Sequence, residues 1–285
     1  MNRNSQTKQV DDTSGSRSSD QRFQAILSQL ESCEGMVAAE LESFQKASSG
    51  TDPSKRTDYL LSVVIPVYNE EATIARVISR VAALPLNLEI VVVDDCSTDG
   101  TRQILSLLSD IESVNVILKE VNAGKGAAIR TGFEVATGDF LVIQDADLEY
   151  DPRDIPQLIQ PLLRGEADIV YGSRFIGEEV QDESWIHRLG NAVLTGASNL
   201  FSGLKLTDME TCYKAFSKEA IRSVEIDQNR FGMEPELTAK LARQGFKFVE
   251  VPISYDSRGY DEGKKIGFRD LLNAIYCIGR YGVSD

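Results

Sequence analysis

The chain has 285 residues, of which 42% are hydrophobic and 26% are charged, and its formal net charge at pH 7 is −14. This length is sufficient to bury a full core in one large domain. The acidic charge argues against nucleic-acid binding, which requires a basic surface, and it disfavours broad adhesion to anionic lipid.

The cysteine and histidine content bounds the compartment and the metal chemistry. The four cysteines are scattered and there is a single histidine, which argues against a zinc cluster and fits a reducing environment. The sequence has neither an apolar signal core nor an apolar run long enough to span a bilayer. We therefore expect a cytoplasmic protein that is at most peripheral on the cytoplasmic face of a membrane.

The N-terminal 58 residues are predicted to lie outside the main domain. Residues 1–19 are rich in polar side chains and have almost nothing to bury, which predicts a disordered tail. Residues 20–58 begin with apolar side chains at steps of three and four, from Phe23 to Phe44, and end in a linker with Ser, Gly and Pro. This pattern predicts an amphipathic helix, and it leaves open whether the helix packs on the body or forms a coiled-coil contact.

From Leu60 onward, short β-branched runs alternate with helical stretches. The alternation predicts an α/β domain over 59–285, with a mostly parallel sheet covered by helices on both faces. In such sheets, ligands bind at the carboxyl ends of the strands. The predicted strands are Leu61–Val67, Leu88–Val93, Val114–Leu118, Phe140–Ile143 and Ala167–Tyr171, and the helices between them span about 70–83, 99–109, 125–137 and 154–164.

The second half of the domain is less regular. Its predicted helices span about 186–202, 217–224, 235–244 and 268–281, and its predicted strands are Leu204–Leu206 and Lys247–Ser254. The last helix is apolar on a broad face, which favours packing in the core or in a dimer, with an interfacial helix at a membrane as the alternative. The sequence leaves open a homodimer or a membrane-subunit partner.

Two carboxylates one residue apart, Asp145 and Asp147, follow the apolar run Phe140–Ile143. Side chains one residue apart at a strand end can point into the same opening, and hard oxygen ligands suit Mg²⁺ or Mn²⁺ carrying a diphosphate. Taken alone, Asp-x-Asp also fits a solvated strand end or a helix cap. Further side chains after predicted strands lie at the same edge, namely Pro66, Tyr68, Asn69, Glu70, Asp94, Asp95 and Arg174.

The segment Gly124-Lys-Gly126 follows a strand and opens a predicted helix. Position 129 is Ile, where a dinucleotide-binding motif needs a third glycine or alanine, and no Ser or Thr follows Lys125 as in a P-loop. We therefore interpret this segment as a helix start near the ligand edge.

Four segments carry a resemblance to a known family: Ser62-Val-Val-Ile-Pro-Val-Tyr-Asn-Glu70, Val93-Asp-Asp-Cys-Ser-Thr-Asp-Gly100, Gly138-Asp-Phe-Leu-Val-Ile-Gln-Asp-Ala-Asp147 and Gly172-Ser-Arg-Phe175. Together they resemble the inverting family 2 glycosyltransferases of the GT-A fold, in the branch of dolichyl-phosphate and polyprenyl-phosphate mannosyl or glucosyl synthases. The resemblance covers about Leu60 to Tyr281. It implies a GT-A (Rossmann-like) fold with a donor half over about 59–175 and an acceptor half over about 176–285.

The resemblance implies a role for each residue that matches the family's motifs. Mg²⁺ or Mn²⁺ would be held by Asp145 and Asp147, with Glu149 as a third ligand where the close synthases often carry Gln. The nucleoside positions are Pro66, Tyr68, Glu70, Val93 and Asp95, with Asp145 next to the diphosphate. The catalytic positions are Asp147, Arg174 and Asp208, and the acceptor and phosphate positions are Arg188, Arg258 and Lys264.

The implied activity is inverting transfer of a hexose from a GDP-mannose or UDP-glucose type of donor to a polyprenyl or dolichyl phosphate at a membrane surface. A lipid phosphate arrives ionised and needs no general base. A hydroxyl acceptor would need one, for which Asp208 and Glu210 are the candidates. The alternatives are a GT-A transferase that acts on a sugar or protein hydroxyl, and a non-catalytic nucleotide-sugar-binding or scaffold protein.

Overall fold

A computed structural model describes residues 58–109, 113–176, 185–256 and 268–283 of the chain. The predicted N-terminal tail and the amphipathic helix before residue 58 lie outside these residues. Within them, the chain forms the α/β architecture that the alternating pattern predicts, with a mixed sheet between layers of helices.

The sheet of the described residues has seven strands. They are β1 (Leu61–Val67), β2 (Leu88–Asp94), β3 (Val114–Leu118), β4 (Phe140–Ile143), β5 (Ile169–Ser173), β6 (Lys214–Ser217) and β7 (Phe248–Pro252). Their order is β3-β2-β1-β4-β6-β5-β7. All neighbouring pairs are parallel except those of β6, which runs antiparallel between β4 and β5.

The helices follow the strands closely along the chain. They are α1 (Ile74–Ala82), α2 (Thr101–Leu108), α3 (Lys125–Val135), α4 (Ile155–Leu158), α5 (Gln160–Leu163), α6 (Trp185–Ser202), α7 (Lys218–Arg222), α8 (Met233–Arg243) and α9 (Phe268–Val283). None of these described helices combines the length and the apolar character needed to cross a bilayer.

The central strand β1 is buried on both faces, as a parallel strand between two helix layers should be. Its side chains point alternately to the two faces of the sheet and belong to two hydrophobic cores. Val63 and Ile65 face α1 and α2, and Val64 faces α3. A Cβ on Gly132 of α3 would collide with the Val64 side chain, so α3 lies directly on the sheet. This close approach fixes the N-terminal end of α3 at the edge where β1 and β2 end.

The predicted strand Leu204–Leu206 is wrong, because this segment pairs with no strand of the described sheet. The side chain of Asn199 takes the place of a neighbouring strand. Leu206 N–H donates to Asn199 Oδ1 at 2.9 Å, and Asn199 Nδ2 donates to the Leu206 carbonyl at 2.8 Å. The strand that does occur here, β6, lies a few residues further on and was not predicted.

The predicted helix over 154–164 is interrupted. Residues Pro152–Asp154 form a 3-10 turn, and two short helices, α4 and α5, follow it with a break at Ile159. Pro161 lies in the first turn of α5. Because proline has no N–H and its ring crowds the preceding turn, a continuous helix cannot pass through this position.

Candidate active site

The loops that follow β1 and β2 are tied to each other by hydrogen bonds. The amide of Asn69 donates to Ser97 Oγ at 2.9 Å, and the amide of Thr98 donates to Asn69 Oδ1 at 2.8 Å. Asn69 and Cys96 both have positive φ, at 56° and 66°. These reversed backbone positions turn both loops sharply at the strand ends, which holds the two loops in one fixed arrangement.

The two acids after β2 have different surroundings. Asp94 is fully buried and accepts hydrogen bonds from the Ser97 amide and from Arg102 Nε, the latter at 2.6 Å. Its carboxylate therefore stabilises the loop after β2 through these hydrogen bonds. Asp95 is 3% exposed, and its backbone amide donates to the Val67 carbonyl at 2.8 Å.

The carboxylate of Asp95 accepts hydrogen bonds from three donors in the segment between β3 and α3. It accepts from Lys119 Nζ at 2.5 Å, from the Ala123 amide at 3.1 Å and from the Gly124 amide at 2.6 Å. Gly124 has a φ of 101°, and a Cβ at this position would lie 2.5 Å from the Asn229 carbonyl oxygen. The glycine of the Gly124-Lys-Gly126 segment is therefore required by the backbone that holds Asp95.

Other predicted nucleoside residues lie around this carboxylate. Pro66 and Val93 are register partners in the β1–β2 pair, one residue before the strands end. Tyr68 is half-buried, and the Glu70 amide donates to Thr101 Oγ1 at 2.9 Å. The β1 and β2 ends thus bring the predicted nucleoside set to one edge of the sheet.

Asp145, the first acid of the Asp-x-Asp pair, is bound to a lysine from α3. Lys125 Nζ lies 2.7 Å from Asp145 Oδ1, and each side chain is at most 15% exposed. Burial alone would raise the pKa of the Asp145 carboxyl, but the adjoining Lys125 ammonium holds it below its ordinary value. Asp145 is therefore ionised and carries its own counter-ion.

The second acid of the pair and the predicted third ligand each accept a hydrogen bond. Asp147 Oδ1 accepts a hydrogen bond from the Glu149 amide at 3.1 Å, across Leu148, whose φ is 67°. Glu149 Oε2 accepts from the Tyr255 hydroxyl at 3.0 Å. One oxygen of the predicted third ligand thus accepts from Tyr255, and the role of Glu149 as a ligand stays a prediction.

The donor set at this edge fits a hard divalent cation. No group of three His, Cys, Asp or Glu side chains is arranged to hold a metal within the described ranges of the chain. Mg²⁺ commonly takes only one or two carboxylates from a protein and fills its remaining positions with substrate phosphates and water. Asp145 and Asp147 supply that number, and the Lys125 ammonium already places a positive charge against one of them.

A set of charged side chains lies buried beneath the Asp-x-Asp pair. Lys125 Nζ donates to Cys212 Sγ at 2.7 Å, and Lys214, fully buried, donates to the Met209 carbonyl at 2.9 Å and to the Thr211 carbonyl. Burial, with the Asp145 charge, raises the pKa of the Cys212 thiol to about 12, so it stays protonated. Burial is also the main cause that lowers the pKa of Lys214.

Two glutamates complete this buried set. One oxygen of Glu210 and one of Glu234 are buried without a hydrogen-bond partner in the described structure. Burial, reinforced by the charge of Glu234, raises the pKa of Glu210 to about 8. Glu210 is therefore mostly protonated at neutral pH, which makes it a poor general base there.

On the acceptor side, Arg174 and Asp208 form a bidentate ion pair. Arg174 Nε donates to Asp208 Oδ2 at 2.7 Å, and Arg174 Nη2 donates to Oδ1 at 2.9 Å. Asp208 is fully buried and also accepts from the Arg174 amide at 3.1 Å. The guanidinium stacks on the Tyr255 ring, 5.1 Å from its centroid. Both oxygens of Asp208 thus accept hydrogen bonds from Arg174, and this two-point contact fixes the orientation of the guanidinium.

A cavity of about 370 Å³ lies beside this pair, at the start of α6. Arg188 reaches it and stacks on the ring of Phe175 at 5.9 Å. The cavity is lined by Phe175, Arg188, Leu189, Asn191, Ala192 and Thr207. The predicted phosphate residues Arg258 and Lys264 lie outside the described residues.

Exposed apolar side chains lie on α6, which lines this cavity, and on α9. On α6, Leu189, Val193 and Leu200 follow each other after four and seven residues, and Leu200 is 81% exposed. A Cβ on Gly282 of α9 would lie 2.6 Å from Phe201 Cβ, so the two helices adjoin. We call this surface the α6–α9 apolar face; its largest exposed members are Leu189, Val193, Leu200, Leu272, Ile275, Tyr276 and Val283.

A model of the family described as Glycosyl transferase family 2 matches residues 62–224, which is more than half of the chain and includes every strand end described above except that of β7. This chain belongs to glycosyl transferase family 2. Its Asp-x-Asp pair, the buried Asp95 and the Arg174–Asp208 pair all fall within the matched segment.

Curated relatives of this family 2 glycosyltransferase include two lipid-linked sugar synthases. A dolichol-phosphate mannosyltransferase of Pyrococcus furiosus is 35% identical over 228 residues, which are 78% of this chain and 64% of that protein. A polyprenol monophosphomannose synthase of Mycolicibacterium smegmatis is 28% identical over 249 residues, which are 84% of this chain and 93% of that protein. The chain spans just under two thirds, 64 to 66%, of the length of several curated relatives that it matches, including the Pyrococcus furiosus protein.

A solved structure shares the fold. The glucosyl-3-phosphoglycerate synthase of Mycobacterium tuberculosis, in complex with Mn²⁺, UDP and glucosyl-3-phosphoglycerate, matches with a TM-score of 0.57 and 24% identity. The match covers 85% of this chain and 84% of that one. This likeness, with the sheet order, establishes the predicted GT-A type of α/β fold.

Sequence reasoning missed four charged residues of this site. Lys119 and Lys125 neutralise Asp95 and Asp145, and Lys214 and Glu234 lie buried below them. Lys125 was interpreted only as part of a helix start, although a lysine between two glycines at a strand end was a visible signal. Lys214 and Glu234 gave no such signal, because burial of a charged side chain depends on elements distant in the chain.

Proposed function

We propose that this protein is an inverting glycosyltransferase that transfers a hexose from a nucleoside diphosphate sugar to a polyprenyl phosphate at a membrane surface. The observation that carries the proposal is the meeting of two charged sites at one sheet edge. Asp95, Asp145 and Asp147 form the first site, and Arg174 with Asp208 forms the second. The names of the Pyrococcus furiosus and Mycolicibacterium smegmatis relatives support the same activity.

The donor would bind along the ends of β1, β2 and β4. The nucleoside would lie against Pro66, Tyr68, Glu70 and Val93, with the carboxylate of Asp95 accepting hydrogen bonds from the base. The diphosphate would lie at Asp145 and Asp147. Mg²⁺ or Mn²⁺ held by these two acids would neutralise the charge that builds on the departing diphosphate. Mn²⁺ and UDP in the Mycobacterium tuberculosis complex support this proposal.

Inversion requires the acceptor oxygen to approach the anomeric carbon from the side opposite the diphosphate. We assign the acceptor phosphate to Arg174 and to the cavity at Arg188, on the acceptor side of the edge. Asp208 orients the Arg174 guanidinium by a two-point contact, so the arginine need not reorganise when charge develops. Arg258 and Lys264 would add positive charge to the same phosphates.

The state of the two base candidates favours a phosphate over a hydroxyl acceptor. Both oxygens of Asp208 are occupied by Arg174, and Glu210 has a pKa of about 8. Neither group offers a free ionised carboxylate at neutral pH, which a hydroxyl acceptor needs. A lipid phosphate is already ionised and attacks without losing a proton.

The α6–α9 apolar face supports a lipid-borne acceptor. It begins at Leu189, which also lines the cavity at Arg188. A polyprenyl chain leaving the cavity would therefore meet exposed apolar side chains, and the same face would associate peripherally with the bilayer.

The test is a transfer assay with GDP-mannose and UDP-glucose against three acceptors: polyprenyl phosphate in vesicles, soluble glycans, and water alone. We expect cation-dependent transfer to polyprenyl phosphate from one of the two donors. Transfer to glycans in place of the lipid would support the hydroxyl-acceptor alternative. Nucleotide binding without transfer to either acceptor would support the non-catalytic alternative.

A further inference from the structure

The ion pair between Lys125 and Asp145 conflicts with the binding of a cation at Asp145. Lys125 Nζ lies 2.7 Å from Asp145 Oδ1, the carboxylate that would hold the donor cation. A divalent cation and an ammonium on one carboxylate repel each other strongly in a poorly solvated site. A buried ammonium that loses its partner is costly unless another acceptor is available.

Glu234 offers such an acceptor. It lies in the first turn of α8, is 4% exposed, and its Oε2 has no hydrogen-bond partner in the described parts of the chain. It interacts electrostatically with both Lys125 and Asp145, so the three groups form one cluster. A buried carboxylate oxygen without a donor is rare in native structures and calls for a reason.

We propose that Lys125 is a displaceable counter-ion, which pairs with Asp145 before the donor binds and with Glu234 once a divalent cation occupies the Asp-x-Asp pair. Glu234 is then a positioning residue for the donor site. The inference rests on the proposed function, since it assumes that a cation binds at Asp145. Before the cation binds, Lys125 pairs with Asp145, and Glu234 interacts with Lys125 and Lys214 only through space. Once the cation is bound, the displaced Lys125 ammonium would still have a carboxylate partner, Glu234.

The neighbouring groups are compatible with this exchange. Cys212 Sγ lies 2.7 Å from Lys125 Nζ and is a neutral thiol. A thiol is a weak acceptor, so this contact does not prevent Lys125 from pairing with the Glu234 carboxylate. Lys214 also interacts with Glu234, but it is already bound to the carbonyls of Met209 and Thr211. The second oxygen of Glu234 therefore stays available to Lys125.

The test is a Mn²⁺ titration of the intact chain at neutral pH, without nucleotide, following free Mn²⁺ by its electron paramagnetic resonance signal. Lys125→Met should tighten Mn²⁺ binding, because no ammonium competes for Asp145. Glu234→Gln should weaken it about fivefold, because Lys125 loses its second partner. In the double variant the Glu234→Gln effect should disappear.

The double-mutant comparison separates this exchange from a structural role of Glu234. If Glu234→Gln weakens Mn²⁺ binding equally with and without Lys125, the exchange is refuted, and so it is if Lys125→Met leaves binding unchanged. Glu236→Gln is the matched control, because Glu236 is a fully buried glutamate of the same helix that accepts from the Asp227 and Gln228 amides instead. We expect no effect of this change on Mn²⁺ affinity.

Two further variants keep the test decisive. Asp147→Asn gives the background of Mn²⁺ bound elsewhere on this acidic protein, and Lys125→Gln replaces Lys125→Met if the latter does not fold. The titration uses neither sugar nor acceptor, so its outcome is independent of transfer. Coupled Mn²⁺ binding without hexose transfer would overturn only the proposed function, and transfer with additive Mn²⁺ effects would overturn only the exchange.

Discussion

The donor and acceptor sides of this sheet edge are built by different means. On the donor side, main-chain amides contribute to holding two of the acids: those of Ala123 and Gly124 donate to Asp95, together with Lys119, and that of Glu149 donates to Asp147. Asp145 is held by the Lys125 side chain. On the acceptor side, charged side chains hold one another, as Asp208 does for Arg174. Backbone donors are fixed by the sheet and helix that carry them, whereas an ion pair depends on two side chains alone. Asp95 and Asp147 should therefore tolerate changes in neighbouring side chains better than the Arg174–Asp208 pair does.

The largest expected effect comes from the donor side. Asp147→Asn keeps the size of the side chain and one acceptor oxygen for the Glu149 amide, but removes the charge that would hold the cation. We expect transfer to polyprenyl phosphate to fall by about 10³-fold or more, since electrostatic stabilisation of the departing group is lost. Circular dichroism should be unchanged. Full turnover in this variant would overturn the metal assignment.

The next effect tests the ion pair of the acceptor side. Arg174→Lys keeps the positive charge but loses the two-point contact with Asp208, so we expect a roughly 10²-fold loss of transfer from misplacement alone. Arg153→Lys is the matched control, because Arg153 makes a similar contact with Asp151 while its side chain is 86% exposed. The comparison fails if both variants lose the same activity.

A smaller effect is expected at the α6–α9 apolar face. Val193→Glu combined with Leu200→Glu places two charges on this face, and we expect a roughly tenfold weaker association with vesicles in a flotation assay. Leu118→Glu, at the end of β3, is the control for adding a charge at an exposed apolar position. Equal vesicle binding by all three proteins would exclude this face as the membrane contact.

The smallest effect concerns pH and Glu210. Its pKa is raised from 4.5 to about 8, so the folded protein holds a proton that the unfolded chain releases between these values. The free energy of unfolding should therefore fall as the pH rises from about 4.5 to about 8. Glu210→Gln should make this fall shallower in thermal denaturation at several pH values, whereas exposed Glu219→Gln should not. An unchanged slope would contradict the raised pKa.

The fold was largely predictable because its strands and helices are strongly patterned. Buried parallel strands such as Leu61–Val67 are continuous apolar runs, and their bounds agree with the prediction. Strand β6 could not be found in this way, because it has four residues and begins with the fully buried Lys214. At Leu204–Leu206 the apolar pattern wrongly predicted a strand. The N–H and carbonyl of Leu206 are hydrogen-bonded to the side chain of Asn199 and not to a neighbouring strand.

The candidate site was likewise predictable in part. Asp95, Asp145 and Arg174 were found from their positions after strands, because parallel strands end at a common edge. Lys119 and Lys125 were not predicted as their partners, and Asp208 was predicted as a catalytic residue but not as the partner of Arg174. These residues lie 24, 20 and 34 positions away in the chain from the side chains that they contact. No local spacing indicates such pairs.

By itself, the sequence determined the class of fold and indicated the sheet edge and the acids of the candidate site, because periodicity and strand-end position are local properties of the chain. Only the tertiary structure decided which charged side chains form ion pairs, namely Lys125 with Asp145 and Arg174 with Asp208. It also decided that Glu234 is buried. The physical reason is that burial and ion pairing arise between distant segments, and the free energy of a charge depends on those neighbours far more than on the residue's own position in the sequence.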